Sequence, residues 1–332
     1  MSNFSFENIL GNESLIASIR AAVGHGRVSH AYIFDGPAGS GKKLTANTFA
    51  KLLQCENAGE ASNTPCGKCS SCSAYESGNH PDVIFVRPSK TKALGVDDIR
   101  EQVNSTVLVK PYKYAYKIYI IDKADEMSSA ASNAILKTLE EPARYAVFLL
   151  LTSNAASFLP TILSRCVTLK LKPVPEPDVV ELLVQRGVQR ELAQICGTLS
   201  GGIVGKALEM SGSEEFDALR RDITGLLCNI KNMKYAELFV RSKAMESYRE
   251  RFGQVLELML LWYRDLLVFK QFGDKGRIAQ QDIAEDILRS AHSHTLAEVF
   301  EKIRAVYSAR IYLRQNTNFQ LTADVLLMKL SA

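Results

Sequence analysis

The stretch that decides the fold of this chain is Gly36-Pro37-Ala38-Gly39-Ser40-Gly41-Lys42-Lys43. It fits the phosphate-binding pattern GxxxxGK and directly follows AYIF, a short apolar run of strand character that begins at Ala31. Glycines let backbone N–H groups turn toward phosphate oxygens, and a helix that follows adds its positive end. The stretch therefore predicts a phosphate loop between a strand and a helix. The residues predicted to bind nucleotide in it are Gly36, Gly39, Gly41, Lys42 and Lys43.

Two positions depart from a working magnesium site. A Ser or Thr hydroxyl normally ligates the metal at the position of Lys43. Asp122, at the end of the strand-like run KIYII, fits the second magnesium ligand and joins the candidate nucleotide site, but Lys123 follows where many related ATPases place a water-orienting Glu. An ammonium group neither ligates a cation nor polarises water for attack. We therefore expect little or no ATP hydrolysis. Nucleotide binding stays open, the alternative being a glycine turn retained for its shape.

Further strand-like runs recur through the first half of the chain, as VIFV from Val83, VFLLL from Val147 and VTLKL from Val167. Helical spacing lies between them, for example from Met127 to Leu139. Strands that alternate with helices and are apolar throughout predict a parallel sheet covered on both faces. Residues 1 to about 173 are therefore predicted to form one α/β domain.

Two breaks divide the rest of the chain. The segment Lys172–Asp178 contains three prolines in seven residues, which interrupts regular structure. A second break, Ser211-Gly-Ser213, precedes a long region with helical spacing and no strand-like alternation. These breaks predict a small helical domain at 174–210 and a helical bundle at 211–332.

Four cysteines form the pattern C-x10-C-x2-C-x2-C inside a Gly/Ser/Asn-rich insertion after the phosphate loop: Cys55, Cys66, Cys69 and Cys72. Four thiolates at such spacing complete a tetrahedral zinc shell, so we predict a structural zinc module at about 55–72. The other three cysteines lie in apolar surroundings and are predicted to be buried small hydrophobes: Cys166, Cys196 and Cys228.

Composition limits the remaining classes. The chain has 332 residues, 46% of them apolar and 23% charged, which is ordinary for a globular protein of two or three domains. The net charge of +4 does not identify a nucleic-acid binder. Neither a signal peptide nor an apolar run long enough for a membrane span is present, so we expect a cytoplasmic protein without a membrane partner.

Three further segments carry a family resemblance: HAYIFDG from His30, NAILKTLEEP from Asn133 and LSRC from Leu163. Together with the cysteine insertion and the closing residues Leu313, Asn316, Asn318 and Leu321, they make the chain resemble the bacterial clamp-loader subunits of DNA polymerase III over nearly its whole length. The resemblance implies an AAA+ domain, a small lid domain and a helical collar for oligomerisation. It also implies a hetero-pentameric ring with gamma/tau and delta subunits, which opens a sliding clamp and places it on primed DNA.

Departures from the active motor of that family imply a specialised role. In gamma, Ser or Thr, Glu and a sensor arginine stand at the positions of Lys43, Lys123 and Gly205. Their absence implies a stator-like subunit that positions ATPase neighbours. Arg165 of the Ser-Arg-Cys triplet is retained, which implies an arginine finger that reaches a neighbour's nucleotide, since a guanidinium stays charged and forks onto phosphate oxygens. The simpler alternative is a surface arginine at the start of a strand.

Two other functions stay open on the sequence alone. One is an active, gamma/tau-like ATPase, which requires another group to replace the hydroxyl missing at Lys43. The second is a zinc-containing nucleic-acid binder, suggested by basic residues around the cysteine module: Lys68, Lys90, Lys92 and Arg100. Without tight DNA binding by the lone chain, those residues form a solvated face.

Overall fold

The computed structural model describes residues 4–58, 64–89 and 93–332. The chain forms two compact units. The first comprises Met1–Pro175 together with Ile203–Gly205, and the second comprises Glu176–Gly202 together with Lys206–Ala332. Among the described residues, no helix has both the length and the apolar character needed to cross a membrane.

The first unit contains a five-stranded sheet whose strands pair in parallel in the order β2-β3-β4-β1-β5. Its strands are β1 (Ala31–Asp35), β2 (Val83–Val86), β3 (Lys117–Ile121), β4 (Ala146–Thr152) and β5 (Val167–Lys170). Each coincides with one of the five strand-like runs of the sequence. The predicted parallel sheet is therefore confirmed.

Helices cover both faces of this sheet, because neighbouring residues of a strand point to opposite sides. Tyr32 and Phe34 of β1 pack into one core, and Ala31 and Ile33 pack into the other. The first core includes residues of α1 (Glu13–Gly24), α2 (Lys42–Gln54) and α3 (Ser70–Glu76). The second includes residues of α4 (Val96–Ile99), the π-helix Arg100–Asn104, α5 (Ser129–Glu140) and α6 (Pro160–Leu163). This arrangement confirms the predicted α/β class.

Two details differ from the sequence pattern. Strand β5 is not covered like the others: its first residue, Val167, is 44% exposed, whereas the first residue of β2 at the opposite edge, Val83, is buried. Helix α5 begins at Ser129 rather than at Met127, since the Ser128 hydroxyl accepts a hydrogen bond from the Ala131 N–H (3.1 Å) and caps the helix there.

The topology brings several loops to one edge of the sheet. The carboxyl ends of parallel strands meet at a common edge, where α/β proteins bind ligands. The phosphate loop follows β1 at this edge, Asp122 follows β3, and Ser153 follows β4. Candidate site residues that are far apart in sequence are therefore neighbours in the fold.

The second unit is helical throughout its described length. Its helices are α7 (Glu176–Gln185), α8 (Arg190–Ser200), α9 (Val204–Ser211, from Lys206 onward), α10 (Glu214–Asn229), α11 (Tyr235–Ala244), α12 (Phe252–Phe272), α13 (Ala284–Ser293), α14 (Leu296–Arg314) and α15 (Phe319–Ser331). Helix α12 contacts α10, α13 and α14 and carries the buried Trp262. The helical carboxy-terminal region is confirmed. Its division into domains at 174–210 and 211–332 stays a prediction.

Candidate functional site

The predicted phosphate loop lies between β1 and α2. Gly39 and Gly41 adopt left-handed φ angles of 81° and 90°, which residues with a Cβ atom rarely adopt. The Lys42 ammonium donates to the carbonyl oxygens of Gly36 and Pro37, the second at 2.8 Å. Burial lowers the pKa of Lys42, although nearby carboxylates oppose this shift. Lys42, the first residue of α2, thus bonds back to the start of its own loop. The loop lies beside a cavity of about 500 Å³.

Lys43 lies next to Asp122, the residue predicted to bind magnesium. The Lys43 Nζ atom is 3.9 Å from Asp122 Oδ2, and the side chains are 72% and 52% exposed. An ammonium group therefore neighbours the carboxylate that would otherwise meet a metal ion. Lys43 thus adds a positive charge to the loop but supplies no metal ligand.

Lys123 is the next departure. Its backbone adopts a left-handed φ of 51°, which is uncommon for a residue other than glycine. Its Nζ atom lies 3.4 Å from a carboxylate oxygen of Glu126 in an exposed pair. The residue that directly follows Asp122 thus carries a positive charge, and the carboxylate it meets belongs to the 3₁₀ turn Ala124–Glu126.

Asp125 is a site residue that the sequence reasoning missed. Its carboxylate accepts hydrogen bonds from the Ser153 N–H at 3.2 Å and from the Ser153 hydroxyl at 2.6 Å. Burial opposes ionisation of Asp125, but the Ser153 bonds outweigh it and lower its pKa. Both residues line the cavity beside the phosphate loop. The sequence signal that could have identified Asp125 and Ser153 is their position after β3 and β4, because the carboxyl ends of these strands lie at the same sheet edge as the phosphate loop.

Gly205 completes the surroundings of the loop. Its N–H donates to the Gly39 carbonyl oxygen at 2.9 Å. A Cβ atom built on Gly205 would lie 2.7 Å from that oxygen, closer than real Cβ atoms approach. Gly205 stands where the resemblance expects a sensor arginine, and this contact leaves no space for any side chain.

The four cysteines predicted to bind zinc lie together. All four Sγ atoms, of Cys55, Cys66, Cys69 and Cys72, lie within 4.8 Å of one another, and those of Cys66 and Cys72 are 4.0 Å apart. A tetrahedral site with Zn–S bonds of about 2.3 Å separates sulfurs by about 3.8 Å. Burial opposes ionisation of Cys66, but N–H groups of Lys68 and Cys69 point at its sulfur and lower its pKa to about 6. The donor set and its spacing fit a metal ion.

The remaining sulfur and imidazole groups do not join this cluster. Burial raises the pKa of both Cys166 and Cys196 to about 12. Cys196 is buried, as predicted, whereas Cys166 and Cys228 are half-buried. His80 lies 3.1 Å from the Ser71 hydroxyl, so its ring has a partner other than a metal.

The cysteine module contacts the helix that follows the phosphate loop. The Tyr75 hydroxyl of α3 donates to Asn47 Oδ1 of α2 at 2.8 Å. The fully buried Lys51 of α2 forms an ion pair with Glu76 of α3. Cys55 itself directly follows the last residue of α2. The four cysteines and the position of α2 are therefore physically connected.

Arg165 follows α6, immediately before β5. Its guanidinium lies 3.0 Å from a carboxylate oxygen of Glu140 and donates to the Thr161 carbonyl oxygen at 2.9 Å. The side chain is 35% exposed. The structure thus joins two segments that the sequence singled out separately, the one that ends in Glu-Glu-Pro and the Ser-Arg-Cys triplet.

The basic residues near the cysteine module are only partly described. Lys68 is exposed, and Arg100 forms an exposed ion pair with Asp97 at 3.8 Å. Lys90 and Lys92 lie outside the described residues.

A parallel sheet, a glycine-rich loop before α2 and a helical second unit define a P-loop α/β protein, in which Lys43 lies beside Asp122. A family model described as "DNA polymerase III, delta subunit" matches residues 11–175. The delta' subunit of DNA polymerase III from Bacillus subtilis is 33% identical over 92% of this chain and 91% of its own length. The chain belongs to the clamp-loader family of DNA polymerase III subunits.

The chain is also similar to two other proteins. The tau subunit from Bacillus subtilis is 32% identical over 80% of this chain, which spans half of that longer protein. A gamma subunit-related protein from Thermotoga maritima aligns with 96% of this chain and 98% of its own, at 21% identity and a TM-score of 0.40. The matches to named sequences thus include both delta' and tau subunits.

Proposed function

We propose that this chain is the delta' subunit of a DNA polymerase III clamp loader. In this role it holds its place in a hetero-pentameric ring with gamma/tau and delta subunits and helps to load the sliding clamp onto primed DNA. The observation that carries the proposal is the Lys43–Asp122 contact of 3.9 Å, in which an ammonium group neighbours the carboxylate predicted to bind magnesium. This contact disfavours ATP hydrolysis by the chain itself and favours a role in positioning neighbouring subunits that hydrolyse ATP. The near-full-length similarity to a delta' subunit supports the same assignment.

Arg165 is the residue that we assign to a neighbour's ATP. Its side chain is partly exposed, and Glu140 is its acidic partner within the chain. A guanidinium that exchanges one carboxylate for phosphate oxygens keeps its charge paired in both states. Charge develops on the transferring phosphoryl group, and an arginine supplied in trans stabilises it by roughly a thousandfold or more. Glu140 would then pair with the Arg165 guanidinium until the phosphate oxygens of a neighbour's nucleotide replace it.

The test is the ATPase rate of the reconstituted loader, stimulated by clamp and DNA, with Arg165→Ala in this subunit. We expect normal assembly and a partial loss of turnover, because other motor interfaces stay intact. Arg165→Lys should recover little, since a point charge does not reproduce the fork. Arg100→Ala is the matched control, because Arg100 also pairs with one acidic residue on the surface of the first unit. Wild-type turnover with Arg165→Ala in an assembled ring would rule out the arginine-finger role.

The helical unit provides the surface for ring assembly. Helix α14 exposes a row of large apolar side chains at helical spacing: Leu296, Phe300, Tyr307 and Ile311, each between 43% and 54% exposed. Helix α15 exposes Leu321 and Met328, seven residues apart. Single exposed apolar residues are ordinary, but rows along helix faces mark protein interfaces. These faces support a collar in which neighbouring subunits cover each other's apolar residues.

The four cysteines complete the proposal with a structural zinc ion. All four donors come from the chain, so no coordination position remains for water or substrate. Bound zinc would offset half of the negative charge of the four thiolates and fix the loops between them. Because α3 contacts α2 through Tyr75 and Asn47, the ion would also support the helix behind the phosphate loop.

A further inference from the structure

The helical unit contains a cavity of about 560 Å³ whose lining carries unusual charge. Three of its lining residues are arginines, and no described lining residue is acidic. We call this site the arginine pocket and define it by Arg249, Arg310, Arg314, Asn316 and Thr317. Arg249 lies in the 3₁₀ segment Met245–Arg251, Arg310 lies near the end of α14, and Arg314 is its last residue. Three separate positions along the chain thus bring positive charge to one place.

The arginines are incompletely neutralised by the chain itself. Arg249 pairs with Glu246 at 2.8 Å, and its guanidinium also lies over the Phe319 ring at 5.6 Å. Arg310 lies 3.7 Å from Glu257, a carboxylate that also binds Lys206 at 2.7 Å.

Arg314 forms no ion pair with any carboxylate in the described part of the chain. Guanidinium groups stay charged at all physiological pH values, so their convergence is unfavourable without an anion. The charge balance of the pocket therefore predicts an anionic ligand.

The turn after α14 holds Arg314 at the pocket. Asn316 adopts a left-handed φ of 57°, and its N–H donates to the Leu313 carbonyl oxygen at 3.1 Å. The Asn318 side chain then caps α15 by accepting from the Leu321 N–H at 3.0 Å. The end of α14 and the start of α15 are thereby fixed next to each other. The positive end of the α15 dipole adds to the arginine charge.

We propose that the arginine pocket binds phosphate groups in the backbone of a single-stranded nucleic acid. Planar guanidinium forks match phosphate oxygens in pairs, and the cavity volume is within the usual range for ligand sites. Its aromatic residues, Phe252 and Phe319, are only 2% and 6% exposed, so neither offers a free face on which a base can stack. The pocket therefore contacts the strand through its phosphates alone. Because phosphate contacts carry no base information, we expect binding to be independent of base sequence.

The experiment measures fluorescence anisotropy of a labelled single-stranded oligonucleotide titrated with the full chain over a range of salt concentrations. Each phosphate contact contributes about 0.7 to the slope of log affinity against log salt. Arg314→Gln should therefore reduce affinity about eightfold near 50 mM salt and about threefold near 200 mM, with a shallower slope. Arg314→Lys should restore the slope but not the full affinity, because the charge returns without the fork.

The matched control is Arg304→Gln. Arg304 lies on the same helix, is 76% exposed, pairs with Glu301 at 2.9 Å and does not line the pocket. We expect this variant to bind like the wild type, and unchanged Trp262 fluorescence should show that each variant is folded. Equal effects of Arg304→Gln and Arg314→Gln, or no salt-dependent binding by the wild type, would overturn the proposal. A loss confined to Lys68→Gln would instead place the strand at the cysteine module.

Competitors distinguish the possible sources of the anion. At matched ionic strength, inorganic phosphate should leave the oligonucleotide bound, because one free ion does not replace several linked contacts. Displacement by inorganic phosphate would identify a site for a free phosphate and overturn the assignment to a strand. Displacement by polyglutamate but not by an unlabelled oligonucleotide of another base sequence would identify an acidic polypeptide as the ligand.

Discussion

Replacing Lys43 with Thr would introduce the hydroxyl that a magnesium-dependent phosphate loop requires, next to the existing Asp122. A second change, Lys123→Glu, would add the carboxylate that orients water in many related ATPases. If these two lysines are the reason that the chain does not hydrolyse ATP, the single variant should gain magnesium-dependent nucleotide binding. The double variant should gain turnover in addition, although slowly, because it lacks both a neighbour's arginine and a sensor arginine.

The structural cost of these changes is small. The Lys43–Asp122 pair is 72% and 52% exposed, and such surface pairs contribute about 0–1 kcal/mol. Exchanging Lys for Thr near the start of α2 costs about 0.5 kcal/mol in helix propensity. Lys123→Glu places like charges near Glu126, which costs about 0.2–0.5 kcal/mol. The sum is at most about 2 kcal/mol, well below the 5–15 kcal/mol typical of a folded domain, so the variants should stay folded.

The assay compares nucleotide binding in magnesium and in a chelator, followed by steady-state hydrolysis. Wild-type protein should show no magnesium-dependent gain in affinity and no turnover above background. Lys43→Thr should bind ATP about tenfold or more tightly with magnesium, a difference of about 1.4 kcal/mol. Lys137→Thr, an exposed lysine on α5, is the matched control and should behave like the wild type. Wild-type hydrolysis at about 1 per second or faster would refute the reasoning and favour a gamma-like motor.

Two further predictions concern the metal and the ring. Purified protein should contain about one zinc per chain by elemental analysis, and Cys69→Ser should release it while leaving Trp262 fluorescence of the second unit unchanged. Zinc-free protein from metal-replete cells, or collapse of the whole fold, would contradict this. A chain of residues 1–210 should fail to enter the loader, and Phe300→Ser with Ile311→Ser should weaken assembly more than Leu108→Ser, a control that is also exposed. Normal assembly of the shortened chain would exclude the helical collar.

Strand positions and fold class were predictable from the sequence because the physical signals there are strong. A buried parallel strand needs apolar residues on both faces, and β1 and β4 are buried throughout and apolar except at their last residues, Asp35 and Thr152. Strand β5 has the same apolar character but lies at an edge, where burial depends on neighbours that a local pattern does not report. The start of α5 depended on one hydroxyl, Ser128, that outweighed the helical spacing extending to Met127.

The candidate site was predictable where a motif fixes spacing and not where tertiary structure brings residues together. Four cysteines in one short insertion can be read as a ligand set directly. The contacts between Asp125 and Ser153 and between Arg165 and Glu140 join residues more than twenty positions apart. The arginine pocket is harder still, because Arg249 and Arg314 become neighbours only through helix packing.

The glycines of the phosphate loop explain how this motif can be kept in a chain that, as we propose, does not hydrolyse ATP. The Gly39 carbonyl accepts the Gly205 N–H, and no Cβ atom fits at Gly205 in that arrangement. The left-handed φ of Gly39 and of Gly41 is needed for this turn whether or not nucleotide binds. If Lys43 stands in place of a magnesium ligand, as we propose, catalysis is lost without disturbing the loop, because Lys43 is an exposed side chain and the glycines are part of the packing. The shape of the loop can thus be maintained for structural reasons, and Arg165, which we propose to act on a neighbour, lies on the separate segment between α6 and β5.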